Sequence, residues 1–253
     1  MSKRKPVAKP FGIIETLREA LTLTPGSIGP MLAPIFTMIV ISTVLFFIFG
    51  FIFNKMNLTE SSAHGMWVTA YTLASFFLLL VASLFLIAIS GVFMIAIARV
   101  RTHQIVQIKT GFQGYTRFIP VILTTALLVI LFLLPLFFIA LPVIVYALYV
   151  LIIGVLFCLS LPLAVDKTNS PLIAIIHSAR ISSRHFLKIA GIFIILSALF
   201  IVACIPLGVG LFFHSMFISI LGGIILFLTM LWFTPFKYLV ISVIYHSLIS
   251  KEP

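Results

Sequence analysis

The sequence has few charged residues. Asp, Glu, Lys and Arg make up 8% of the 253 residues, only five residues are acidic, and 62% of the chain is apolar. A soluble domain has about 25% charged residues, which cover its surface. The composition therefore excludes a water-soluble globular protein, and it equally excludes a disordered chain. Two cysteines are too few for a disulfide framework or for a zinc site with four cysteine ligands.

The apolar segments also lack the residues that carry most membrane chemistry. No Asp, Glu, Lys or Arg falls in the inner part of any apolar run, where an ion-coupled carrier keeps its ionisable groups. The six histidines are scattered over different loops and helix ends, and no nucleophile elbow, phosphate-binding loop or zinc-protease motif is present. We therefore expect no catalytic residue, no metal site and no cofactor.

Hydroxyl side chains are the main polar groups inside the apolar runs. They could line a polar path, but hydroxyls on helices commonly bond their own backbone or join neighbouring helices, and we favour that role here. These residues are Ser42, Thr43, Thr72, Ser75, Thr124, Thr125, Ser197 and Thr229.

Long charge-free runs dominate what the sequence does contain. They cover residues 20–54, 61–98, 118–165 and 189–236. One helical crossing of a bilayer needs about 20 residues, so the last two runs each hold a pair of helices. Pro135 and Pro142 mark the turn in one pair, and Phe213-His214-Ser215 mark it in the other. Because lipid cannot satisfy backbone polar groups, the fold class is all-α, a polytopic membrane protein with six transmembrane helices at about 31–53, 67–98, 118–136, 143–165, 189–213 and 216–249.

The distribution of Lys and Arg predicts the orientation. With the N-terminus inside, fifteen of the sixteen cations fall on the cytoplasmic side and only Lys55 lies outside. Both termini are then cytoplasmic, residues 1–30 form a cytoplasmic segment, and residues 31–253 form one six-helix domain. The net charge of +11 is thus an insertion signal, and we expect no nucleic-acid partner. The fifteen cations are Lys3, Arg4, Lys5, Lys9, Arg18, Arg99, Arg101, Lys109, Arg117, Lys167, Arg180, Arg184, Lys188, Lys237 and Lys251.

Three cytoplasmic segments have the pattern of amphipathic interfacial helices. Residues 11–23 place four apolar side chains on one helical face, namely Ile13, Ile14, Leu17 and Leu21. The segment 103–114 is a weaker candidate because Gly111 and Gly114 cost helix stability. The third helix opens at Ser170-Pro171, an N-cap followed by proline at the first helical position. Each segment precedes a transmembrane pair, so the chain is readable as three copies of a helix-plus-hairpin unit.

The third amphipathic helix supplies the candidate binding residues. Arg180, Arg184 and Lys188 follow one another at a spacing of four, which predicts one basic stripe. The stripe would lie opposite an apolar face made of Leu172, Ile175, Ile176 and Ala179. A helix of this kind lies in the interface plane with its cations at headgroup level. We therefore expect Arg180, Arg184 and Lys188 to contact anionic lipid headgroups; the equally weighted alternative is that they only enforce positive-inside topology.

The last helix is expected to be longer than the membrane. Residues 216–249 form 34 residues of helix, about 51 Å, against roughly 30 Å of hydrocarbon. We expect Pro235 to kink this helix rather than end it. The surplus is expected to project past Lys237 on the cytoplasmic side.

Residues 161–250 carry a family resemblance. The matching residues are Leu161-Pro162-Leu163, Asp166, Ser170-Pro171, the run from Ser178 to Ser182, Phe186, Lys188, the run from Ile205 to Gly210, Thr234-Pro235-Phe236 and Tyr245. They resemble the YciC-like proteins and the membrane domain fused to some glycerophosphodiester phosphodiesterases. The chain departs from that pattern at Ala179, Arg184 and His246-Ser247. The resemblance implies a multi-pass bacterial inner-membrane protein of unassigned function, and without a phosphodiesterase domain it implies no catalysis.

Two functions remain open from the sequence. The first is a non-catalytic scaffold or accessory protein that acts through lipid or protein contacts in the membrane, and the lack of buried charge favours it. The second is a small transporter or lipid-handling protein with a passage for an apolar or amphiphilic substrate. Prolines within or beside the spans favour the second, because broken helices often border binding sites; they are Pro135, Pro142, Pro206 and Pro235.

Overall fold

The computed structural model describes residues 11–57, 63–134, 143–168, 170–213 and 216–249. Within these ranges the chain forms helices and no strand. The helices are α1 Ile13–Leu23, α2 Ile28–Asn57, α3 Ala63–Thr102, α4 Ile108–Gln113, α5 Phe118–Leu133, α6 Val143–Phe157, α7 Ser160–Asp166, α8 Pro171–Arg184, α9 Phe186–Phe212 and α10 Met216–Ile249, with a 3-10 helix at Gly114–Arg117 between α4 and α5.

In the part of the chain that the structure describes, six helical segments are long and apolar enough to cross a membrane, which confirms the predicted number. They are α2, α3, the segment from α4 through α5, the segment from α6 through α7, α9 and α10. The last helix runs unbroken through Pro235, so this proline does not end it, as predicted, while the kink stays a prediction. The turn between α9 and α10 also falls where predicted, with residues 214–215 outside the described ranges. Pro135 and Pro142 lie outside them as well. The chain is therefore a multi-pass membrane protein.

The fourth span is not the single helix that the sequence predicts over 143–165. It breaks at Cys158 and Leu159, between α6 and α7. The hydroxyl of Ser178 on α8 bridges the break, since it donates to the carbonyl oxygen of Leu156 at 2.8 Å and accepts from the N–H of Leu159 at 3.2 Å. A break in an apolar span is tolerated only where other groups satisfy the freed backbone. Sequence patterning missed it because the partner is 22 residues away along the chain.

The buried core lies in the half of the bundle that contains α1, α7 and α8. In α10 every buried residue except Gly222 lies at Pro235 or beyond, and in α3 the buried residues run from Ala88 to Val100. The surplus length of α10 therefore packs against α1 and α3. The opposite half exposes large apolar side chains such as Phe47, Leu78 and Phe227, as lipid-facing surfaces do.

Glycines allow α4 and the 3-10 helix to approach α3 closely. A β-carbon at Gly114 would lie 2.8 Å from the carbonyl oxygen of Ser90, and one at Gly91 would lie 2.8 Å from the carbonyl oxygen of Gly111. The hydroxyl of Ser90 donates across this contact to the carbonyl oxygen of Gly114 at 3.0 Å. Gly111 and Gly114 therefore serve packing, so their cost in helix propensity is offset by a close helix contact.

A second close contact joins α9 to α10 next to their connecting turn. A β-carbon at Gly210 would lie 2.5 Å from the amide nitrogen of Ser219, and one at Gly222 would lie 2.6 Å from the amide nitrogen of Leu207. Gly223, one residue further, has nothing within 4 Å of such a carbon. Two adjacent glycines of one helix thus differ fully in what they contact.

We expect Gly222→Val to destabilise the fold by about 1–3 kcal/mol, because the added side chain forces two backbones apart. Gly223→Val is the matched control, since it has the same change in helix propensity in open space, and we expect an effect within about 0.5 kcal/mol. Thermal unfolding of both variants in the same detergent measures the difference. Equal stabilities of the two variants would show that the close α9–α10 contact does not stabilise the fold.

Candidate functional site

A carboxylate joins three helices at one end of the bundle. We call this end, which contains α1, α7 and α8, the basic end, because Arg18, Lys167 and Arg180 lie there. Asp166, the last residue of α7, forms a salt bridge with Arg101 near the end of α3. The same oxygen, Oδ2, accepts a hydrogen bond of 2.6 Å from the hydroxyl of Tyr245 on α10. Tyr245 is 1% exposed, whereas the Arg101 side chain is 45% exposed. The tyrosine bond is therefore the better shielded of the two interactions.

The position of Asp166 explains why it needs both partners. A carboxylate at the carboxyl end of a helix faces the negative end of the helix dipole and the last free carbonyls. Its neighbours must therefore supply donors. The α6–α7 break sets the direction of α7, which packs against α3 and also reaches α10. Arg101 and Tyr245 supply these donors, so the three side chains form one cluster around the carboxylate of Asp166.

Lys188 anchors the segment before α1. Its Nζ donates to the carbonyl oxygen of Phe11 at 2.9 Å and lies 5.9 Å from the centre of the Phe11 ring. Phe11 is buried, and its ring also makes an edge contact with the ring of His185. A cation that bonds a carbonyl and faces an aromatic ring stabilises both. Lys188 thus joins the entry of α9 to the N-terminal segment.

The predicted stripe of three cations is wrong in its helical geometry. Helix α8 ends at Arg184, His185 is not helical, and Lys188 belongs to the next helix, α9. Only Arg180 and Arg184 therefore share a helix. Both are exposed, and the one salt bridge seen in the described part of the chain involves neither of them. The break was not visible in the sequence because residues 185–190 continue the helical pattern.

The predicted apolar face of α8 is also only partly right. Ile175 is buried against the bundle, but Leu172 and Ile176 are exposed, by 62% and 65%. The buried face includes Ala174, Ser178, Ile181 and Ser182. Ser178 lies on the buried face because it bridges the break between α6 and α7. A hydrophobicity pattern cannot show such a role. As predicted, Ser170 precedes the helix and Pro171 opens it, although the Ser170 side chain makes no capping bond.

Helix α1, like α8, has apolar side chains both on its buried face and on its exposed face. Ile14 and Leu21 are exposed, by 77% and 49%, while Ala20 and Leu23 are buried. Part of each predicted apolar face therefore points away from the bundle. The apolar pattern serves two surfaces at once, one toward α9 and α10 and one toward the surroundings.

Four of the eight hydroxyls that could form a polar path bond their own helices. Thr43, Thr124, Thr125 and Thr229 each donate to the carbonyl oxygen four residues earlier, at 2.7–2.9 Å. This is the local bonding favoured from the sequence. The Ser42 oxygen differs, since it is buried and has no partner in the described ranges.

Ser42 lies in a shallow groove between α2 and α3. The groove has a volume of about 280 Å³ and is open on one side. Three aromatic rings form much of its wall, and Ser42 and Thr43 are its only hydroxyls. The lining residues are Ile39, Ser42, Thr43, Phe46, Phe77, Val81 and Phe85.

Asp166 and Tyr245 both belong to the family resemblance, but nothing in the sequence predicts that they pair. They are 79 residues apart, beyond the reach of any periodicity. One signal was available, because Asp166 is a rare acidic residue in a chain with only five. A carboxylate beside apolar spans needs a partner, and a tyrosine in the last span is a suitable donor. Neither histidines, cysteines nor carboxylates cluster in threes within the ranges described.

No protein-family model, no curated protein and no solved structure matches the chain. The resemblance of residues 161–250 to the YciC-like proteins therefore stays a prediction.

We expect Tyr245→Phe to lower the free energy of unfolding by about 1.5–3 kcal/mol, because it leaves a shielded carboxylate with one donor fewer. Tyr238→Phe is the matched control. Tyr238 lies in the same helix and packs edge-on against Phe93, and no hydrogen bond to its hydroxyl is found in the segments described. Unfolding of both variants in detergent measures what the Tyr245–Asp166 hydrogen bond contributes to stability. Equal losses of stability in the two variants would contradict the prediction.

Proposed function

We propose that the protein is a non-catalytic scaffold or accessory protein of a bacterial inner membrane. It acts through contacts with lipids and with other membrane proteins. The observation that carries this proposal is where the charged side chains lie and what they contact. Arg101 and Asp166 bond helices to one another, Lys188 holds the N-terminal segment, and Arg180 and Arg184 face outward. The charged groups thus serve assembly and surface contact, while the bacterial inner membrane itself is inferred from the family resemblance.

In the proposed orientation the basic end of the bundle faces the cytoplasm. Cytoplasmic loops of membrane proteins are enriched in Lys and Arg. Helices α1, α4, α7 and α8 and the ends of α3 and α10 all contribute to the basic end, while Lys55 stands near the far end of α2. Both termini are then cytoplasmic.

Reporter fusions test this orientation. We expect alkaline phosphatase to be active when fused after Ser62 and inactive when fused after Pro253, because the enzyme folds only outside the cytoplasm. A fluorescent protein that folds only inside should give the opposite pattern. Phosphatase activity at Pro253, or none at Ser62, would contradict the topology.

Helix α8 is the proposed lipid-contact surface. Its exposed side carries Leu172, Ile173 and Ile176 beside Arg180 and Arg184. Exposed apolar side chains next to cations are typical of a helix in the headgroup plane. Two cations near an anionic surface together gain on the order of 2 kcal/mol. The alternative, that the two arginines only fix the topology, predicts no bound lipid at this helix.

We expect the double variant Arg180→Glu and Arg184→Glu to lose most anionic lipid that co-purifies with the parent protein, because repulsion replaces attraction. The control is the double Lys variant, which keeps both charges and should keep the lipid. Native mass spectrometry of protein released from membranes measures the bound lipid. Topology should not change, since Lys167, Lys188 and the other cations remain. Equal anionic lipid in all three proteins would leave topology as the only role of these arginines.

The groove between α2 and α3 favours a second candidate, a lipid-handling protein. Its aromatic wall suits an acyl chain, and the surface of the groove is almost entirely apolar. Bound uncharged lipid that stays with the Glu double variant would favour this function over a scaffold.

A further inference from the structure

Arg99 is a buried cation for which the described residues provide no counter-charge. It lies in α3 and is only 8% exposed. Its Nη1 donates to the carbonyl oxygen of His103 at 3.3 Å, but its Nε–H is buried and has no acceptor within the described ranges. The salt bridge of the neighbouring Arg101 does not include it. Guanidinium groups stay protonated in proteins, and a buried charge is stable only when an opposite charge or several acceptors compensate it.

The guanidinium group of Arg99 faces the turn that leads into α2. A β-carbon at Gly26 would lie 3.0 Å from Nη2 of Arg99, so the group rests directly on the backbone of this turn. Gly26 is two residues before Ile28, the first residue of α2. The positive charge of Arg99 and the amino end of a 30-residue helix therefore meet at one place.

The amino end of α2 has free donors. The first N–H groups of a helix have no acceptor within the helix. The hydroxyl of Ser27 donates to the carbonyl oxygen of Leu23 at 2.8 Å and accepts no bond from the described N–H groups of α2. Pro30 has no N–H. For Ile28 and Gly29, neither a turn carbonyl nor a side chain of the described residues accepts a bond. Gly29 is exposed, with nothing within 4 Å of a β-carbon built on it.

We infer that Arg99 and the amino end of α2 bind a phosphate group. Helix amino ends bind phosphate through their N–H groups and dipole, and arginine adds charge-assisted hydrogen bonds to its oxygens. The site lies at the basic end of the bundle, where lipid headgroups meet the protein in the proposed orientation. The phosphate comes either from an anionic lipid or from solution, and the site is separate from the α8 surface.

The first test removes the cation. The full-length protein in detergent is titrated with phosphatidylglycerol and, separately, with inorganic phosphate, and binding is followed by native mass spectrometry and by phosphorus NMR. We expect Arg99→Gln to weaken binding by at least about tenfold, the order expected for losing a charge-assisted contact. Arg18→Gln, an exposed arginine of α1, is the control and should bind like the parent. Binding of lipid alone identifies a headgroup site, and binding of inorganic phosphate alone identifies a solute site.

The second test supplies the anion from the protein itself. Gly29→Asp places a carboxylate at the amino end of α2, where there is space and where a negative charge is favourable. We expect this variant to lose phosphate binding and to unfold at a higher temperature than the parent in lipid-free detergent. Gly29→Asn has nearly the same shape without the charge, and it should bind within a few-fold of the parent.

The inference is overturned if Arg99→Gln and Gly29→Asp both bind the two phosphate probes like the parent. It is equally overturned if neither probe binds the parent protein. If Arg99→Gln does not fold, Gly29→Asp and Gly29→Asn decide the question alone. The outcome is independent of the scaffold proposal, which depends on Arg180 and Arg184 and is tested by a different double variant.

Discussion

The carboxylate of Asp166 is the interaction on which the packed end of the bundle depends. It receives a salt bridge from α3 and a hydrogen bond from α10 at the end of a short helix that itself packs on α5 and α8. A lone carboxylate in this setting is costly, whereas a paired one links elements that share no sequence neighbourhood. The chain has few charges, and this one joins three helices.

The two halves of the bundle follow different physical rules. Around the basic end, buried apolar side chains from α1, α3, α7, α8, α9 and α10 form one cluster, and polar groups close the gaps in backbone hydrogen bonding. In the other half many large apolar side chains are exposed, and within the described ranges α9 and α10 approach closely at Gly210 and Gly222. Helices in lipid associate through packing of small residues and not through burial of apolar surface. The charged groups and the specific contacts are therefore concentrated in one half.

Hydropathy predicted the larger part of the fold from the sequence. The number of long apolar helices, the α9–α10 turn and the continuity of α10 through Pro235 all follow from run length and local preference. The break at Cys158 and the separation of Lys188 from Arg184 did not follow, because both depend on tertiary partners: Ser178 for the first and Phe11 for the second. The candidate site was likewise predictable only in part. Exposed cations could be chosen from their spacing, but the Asp166 cluster could not, since its members are distant in sequence.

The distance of 79 residues between Asp166 and Tyr245 has a consequence for biosynthesis. Ribosomes add about 5–20 residues per second, so Asp166 is made several seconds before its tyrosine partner. During that interval Arg101, already synthesised, is available to pair with it. The final hydrogen bond forms after the last helix has entered the bilayer. Completion of the chain is thus coupled to closure of the bundle, because Asp166 receives its second donor only from the last helix.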